Sequence, residues 1–121
     1  MELDVKALDR FLSITPQAKS IETFNSREFK IKVIDLINQN HNQIILNLSE
    51  VDFIDSNGLG SLIAILKLLT AQQGKIVICG AREPIKRIFN LTRLNQVLQL
   101  VESEEDAKFF LEDGPRASSD L

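Results

Sequence analysis

The sequence predicts an α/β domain: a mixed sheet of about four to five strands with helices packed on it. Two observations carry this. From residue 25 onward short apolar, β-branched runs alternate with stretches of helical period. The runs Gln43–Leu48 and Lys75–Cys79 are apolar almost without interruption, the pattern of strands covered on both faces.

Residues 3–8 and 11–15 alternate weakly and read as two short strands joined tightly at Asp9-Arg10. Pro16 suits a strand end, because it cannot donate to a ladder. Ala18–Phe24 reads as a further short strand. A helix begins near Asn25, which with Glu28 three residues on forms a capping-box pattern. Phe29, Val33, Leu36 and Ile37 then recur at helical spacing, and the polar cluster 38–42 ends the helix. Gln43–Leu48 is a buried strand. The next helix runs from about Ser56 to Gln72, with Gly74 as its stop. Leu59, Leu62, Ile63, Ile65, Leu66, Leu68 and Leu69 cover most of its circumference, so it is deeply buried or partly covered by a partner. Lys75–Cys79 is a strand. Pro84 opens a short helix, Ile85–Leu91. Val97–Val101 is a strand, and Ser103 with Asp106 caps a last helix that runs through Leu111. Residues 112–121 carry little that could pin them and are expected to be a disordered tail. One domain, residues 1–111, remains.

Composition narrows the function. The 121 residues carry a net charge of −3, which disfavours nucleic acid and an electrostatically held membrane protein. One cysteine, Cys79, and one histidine, His41, leave no disulfide framework and make a metal site or a histidine-based catalytic site improbable, so no cofactor is expected. Cys79 reads as a small buried hydrophobe and His41 as an exposed turn residue. No signal peptide or spanning segment is visible, so the expected compartment is the cytoplasm, without direct membrane insertion. Lys86, Arg87 and Arg93 read as a solvated basic face or as a rim for an acidic partner.

The informative segment is Val51–Gly60, which joins the central strand to the most apolar helix. Ser56 falls at or beside the helix N-cap, where its hydroxyl can accept from a first-turn amide. A phosphate there would be held by free amides and the helix dipole. Gly58 and Gly60 remove side chains and let another backbone come close. The plainer reading makes Ser56 only a cap and Asp55 only a solvated turn residue.

Ile54-Asp55-Ser56-Asn57-Gly58-Leu59-Gly60 resembles the signature loop of STAS domains of the bacterial anti-sigma factor antagonist family. Ile44–Val51, Gly74–Gly80, Pro84–Phe89 and Leu91–Leu94 resemble the family's flanking elements in order and spacing, so the likeness spans residues 5–111. The resemblance implies a STAS-like fold and a partner switch. An unphosphorylated antagonist binds an anti-sigma factor that is also a serine kinase, and so frees a sigma factor. Phosphorylation of the loop serine, here Ser56, releases it, and a metal-dependent serine phosphatase resets it. Asp55, Ser56, Asn57, Gly58 and Leu59 would form the partner surface.

Three positions depart from the family pattern. Asn57 stands where many members have Ser or Thr, which leaves Ser61 as the weaker second candidate for phosphorylation. Ser20 and Glu22 replace a family Gly and Asp near the N-terminus.

STAS domains also serve as subunits of lipid-transport or stress-sensing complexes without a kinase switch, which is the alternative. A small hydrolase is a further one. Ser56 lacks a Gly-x-Ser-x-Gly elbow, and His41 should lie ~20 Å or more away across a strand, so the chain reads as no enzyme.

Overall fold

The computed structural model describes residues 1–113. Seven strands and four α-helices follow one another: β1 (Leu3–Leu8), β2 (Phe11–Pro16), β3 (Ser20–Ile21), α1 (Ser26–Asn38), β4 (Gln43–Asn47), β5 (Phe53–Ile54), α2 (Ser56–Ala71), β6 (Lys75–Cys79), α3 (Glu83–Leu91), a 3-10 turn (Leu94–Gln96), β7 (Gln99–Val101) and α4 (Glu104–Asp113). The main sheet has the order β1-β2-β4-β6-β7. Only β1 and β2 pair antiparallel; the other neighbours are parallel and therefore need the helical crossovers that the sequence supplies. β3 and β5 form a separate two-stranded parallel ladder.

The period of two decides which helices cover which face. In β4, Ile44 and Leu46 point to the main core while Ile45 points to the other side; in β6, Ile76 and Ile78 oppose Val77 and Cys79 in the same way. α1, α2 and α3 fill the main face with Phe29, Val33, Ile37, Leu62, Ile65, Leu69, Ile85 and Phe89. α4 covers the opposite face with Ala107 and Leu111, closing over Phe11, Ile45, Val77 and Cys79. Burial pushes the Cys79 thiol up to about 12, which removes its nucleophilic form at neutral pH.

Several boundaries differ from the sequence reading. The strand expected over Ala18–Phe24 is only Ser20–Ile21, because the amides of Asn25 and Ser26 already turn back onto the Glu22 carbonyl. Asn25 does not cap α1: its side chain accepts from the Glu22 amide at 2.8 Å and donates to the Ser20 carbonyl at 2.9 Å, bracing the loop before the helix. The left-handed residue after α2 is Gln73 (φ 61°), not Gly74. Gly74 is needed for space, since a Cβ there would stand 2.3 Å from the Asn42 carbonyl oxygen. β7 begins at Gln99 because Val97 and Leu98 still bond to the Leu94 carbonyl. The Ser103 hydroxyl accepts from the Asp106 amide at 3.1 Å, as its spacing suggests. α4 continues to Asp113, two residues beyond the expected end, and the tail expected from there on lies outside the described residues.

Candidate functional site

The site is built where the β3–β5 ladder delivers the chain into α2. Ser20 pairs with Phe53 and Ile21 with Ile54, and the Asp55 amide donates to the Ile21 carbonyl at 3.2 Å. A Cβ on Gly58 would meet that same carbonyl oxygen at 2.2 Å. Only glycine lets the first turn of α2 press against β3. Gly60 has no such duty, because a Cβ there would meet nothing within 4 Å. The expectation of close backbone approach therefore holds at Gly58 and fails at Gly60.

Asp55, not Ser56, is the N-cap of α2. Its Oδ1 accepts from the Gly58 amide at 2.9 Å. Its Oδ2 reaches the other way and accepts from the Thr23 amide at 2.9 Å and the Thr23 hydroxyl at 3.0 Å. The Gly58 amide does most to hold the carboxyl below its ordinary 3.8; burial opposes it next in size, and the Thr23 and Asn57 donors add to the lowering. Asp55 is thus a bonded brace rather than a solvated turn residue. Asn57 completes the brace by donating from Nδ2 to the Thr23 hydroxyl at 2.7 Å.

Ser56 occupies the first helical position and is exposed, and its hydroxyl makes no hydrogen bond among the described residues. It is not a cap. The amides that would have met a phosphate there are partly committed: Gly58 to the Asp55 carboxylate and Leu59 to the Asp55 carbonyl. Leu59 itself is half-buried against the main core. Ser61, the second phosphorylation candidate, is buried; its hydroxyl donates to the Ser26 carbonyl at 3.0 Å and to the Asn57 carbonyl at 3.2 Å. No kinase can reach that oxygen without opening the α1–α2 contact.

Ser56 lies on the wall of an open depression between α1 and α2, with Thr23, Arg27, Lys30, Ile31 and Asn57. Sequence reasoning missed Thr23, Arg27 and Lys30. The only linear signal was the i, i+3 spacing of Arg27 and Lys30 on the polar side of α1, which says nothing about what they face. Of the basic group near Pro84, Lys86 lies 3.6 Å from Glu83 and 3.5 Å from Glu102, while Arg87 and Arg93 are exposed. His41 is exposed just before β4, whereas Ser56 follows the strands leaving its other end. Among the described residues no three His, Cys, Asp or Glu side chains are placed to share a metal ion. No helix among them is long and apolar enough to cross a membrane.

The sequence matches the STAS domain family over residues 2–107. The chain belongs to the STAS domain family. A protein of Thermotoga maritima assigned as an anti-sigma factor antagonist is 30% identical over 103 residues, which span 84% of this chain and 90% of that protein. The crystal structure of an anti-sigma factor antagonist assigned in the same organism superposes with a TM-score of 0.86 at 28% identity, covering 91% of this chain and 94% of the other. The unphosphorylated form of the antagonist SpoIIAA shares the STAS fold, with a TM-score of 0.76 at 18% identity over 92% of this chain and 96% of its own. The mixed sheet and its four helices are therefore a STAS fold, as the signature loop implies.

Proposed function

We propose that this STAS protein is an anti-sigma factor antagonist, a protein-binding module switched by phosphorylation of Ser56. Unmodified, it binds an anti-sigma factor that is also a serine kinase, and so frees a sigma factor in the cytoplasm. The kinase transfers the γ-phosphoryl group of ATP to Ser56: the Oγ–P bond forms, the bond to the β-phosphate oxygen breaks, ADP leaves, and the hydroxyl proton passes to a base on the kinase. A serine phosphatase hydrolyses the ester and returns the hydroxyl and inorganic phosphate. The protein itself catalyses neither step. The contact surface is Asp55, Ser56, Asn57, Gly58 and Leu59, with Gly58 shaping it from beneath.

The observation that carries this reading is the exposed, unbonded Ser56 hydroxyl on a first turn that Asp55 and Gly58 hold in place. Modification adds about −1.5 to −2 charge to the surface without breaking a bond of the fold. A charge of that size opposite an acidic partner group weakens binding ~100-fold or more. The names of the Thermotoga relative and of the anti-sigma-B factor antagonist of Staphylococcus epidermidis, 26% identical over 85 residues, agree with it.

Incubation with the anti-sigma factor of its own host and ATP should add one phosphate, read by intact mass, and Ser56→Ala should add none. Ser56→Ala should stay bound to that partner, and Ser56→Glu should lose affinity. Equal affinities for the two variants, or a phosphate on Ser56→Ala, would overturn the proposal. A subunit of a transport or stress-sensing complex would take no phosphate at this position.

A further inference from the structure

We infer that the depression between α1 and α2 is a phosphoryl-binding site, in which Arg27 and Lys30 grip the phosphate once Ser56 carries it. The inference rests on Ser56 being the modified residue, as proposed above. Arg27 and Lys30 stand three residues apart on α1 and line the depression together with Ser56 and Asn57. Two cross-links hold the start of α2 against α1 and the loop that leads into it. The Ser61 hydroxyl donates to the Ser26 carbonyl at 3.0 Å, and Asn57 donates to the Thr23 hydroxyl at 2.7 Å. Arg27 directly follows Ser26, so its backbone is fixed beside the first turns of α2.

Both cations are unspent. Neither Arg27 nor Lys30 has an ion pair or hydrogen bond among the described residues, whereas Glu28 and Lys32 on the same helix pair at 3.4 Å. The donors at the start of α2 are largely committed, because Asp55 takes the Gly58 amide with its carboxylate and the Leu59 amide with its carbonyl. A phosphate on Ser56 therefore finds a guanidinium and an ammonium with free donors on the facing helix. Arginine matches phosphate oxygens in pairs, and lysine supplies a compact charge. Asp55 is the adjoining carboxylate, and its oxygens are turned to Thr23 and Gly58. Gripping would tie α1 to α2, cover part of the phosphate against hydrolysis and remove two positive groups from the docking face in one event.

The test uses full-length protein with phosphoserine installed at position 56 during translation, so no kinase is needed. Phosphorus NMR follows the second ionisation of the phosphate. In the unsubstituted chain the midpoint should lie about 0.5–1 unit below the ordinary value near 6, because the two cations favour the dianion. Arg27→Gln combined with Lys30→Gln should return it to about 6. Asp55 is present in both proteins, so the difference isolates the cations. Equal midpoints in the two proteins would overturn the inference. Failure of the native kinase to modify Ser56 would instead overturn the proposed function and leave this titration readable. Thermal melting of the unphosphorylated double variant checks that the fold is intact.

Discussion

Asp55 and Thr23 are joined twice: one carboxylate oxygen, Oδ2, accepts both the Thr23 amide at 2.9 Å and the Thr23 hydroxyl at 3.0 Å. The other oxygen caps α2 through the Gly58 amide. One side chain thus ties the loop before α1 to the start of α2, and the serine between these anchors is left with nothing to hold. Asp55→Ala should lower the melting temperature and loosen both segments, seen as faster amide exchange at Thr23 and Gly58. Asp55→Asn should retain most of the capping, because an amide oxygen accepts as a cap does.

The two glycines of the loop should respond oppositely to alanine. Gly58→Ala puts a Cβ 2.2 Å from the Ile21 carbonyl oxygen and 2.7 Å from Ile54 Cγ2, so the first turn of α2 must move off β3 and β5. A loss of about 1–3 kcal/mol is expected, the usual size for overpacking. Gly60→Ala enters open space inside a helix and should gain up to about 1 kcal/mol from propensity. Urea denaturation of both variants reads the contrast directly.

Ser61 is a strut. Ser61→Ala removes its bond to the Ser26 carbonyl and should cost about 1 kcal/mol, the usual net worth of such a bond. The kinase should still add one phosphate to this variant, since the reactive hydroxyl proposed is that of Ser56.

Acid should unfold the protein earlier than its core alone requires. The carboxyls of Asp9, Glu28, Asp55 and Glu104 are all held below their ordinary values of 3.8 and 4.5. For Asp9 the cause is the hydrogen bond and charge of Lys108, and for Glu28 chiefly the Met1 amino group. Burial opposes the shift at Glu104, and is outweighed by hydrogen bonds from Ser13, Lys6 and Asn47 together. A depressed carboxyl binds fewer protons folded than unfolded. Its contribution is therefore complete above the unfolded value and is lost as pH falls through the folded one. The urea midpoint should be flat from pH 7 to about 5 and fall steadily below about 4.5. Glu104→Gln should flatten part of that fall; an unchanged profile would remove Glu104 from the account.

The sequence made the sheet legible wherever a strand is covered on both faces. Ile44-Ile45-Leu46 and Ile76-Val77-Ile78 are apolar at every position because successive side chains enter different cores. Two-residue β5 carries no such signal: a period of two cannot be seen in Phe53-Ile54, and only its partner Ser20-Ile21 defines it. The cap of α2 was misplaced by one residue because Asp55 and Ser56 are both good capping types. Which one turns inward depends on Thr23, thirty-two residues earlier. Arg27 and Lys30 were invisible for the same reason, since spacing along one helix does not name the helix opposite. The motif around Ser56 was legible as a family resemblance, and its exposure only from the packing.

Cys79 offers a practical opening. It is the sole cysteine, and it is sealed between β6 and α4 with its thiol held protonated. A cysteine introduced at exposed Gln72 could thus be coupled to a fluorophore in the native protein with almost no background labelling. Partner association and release could then be followed in real time from one dye, without stripping the chain of any natural residue in its interior.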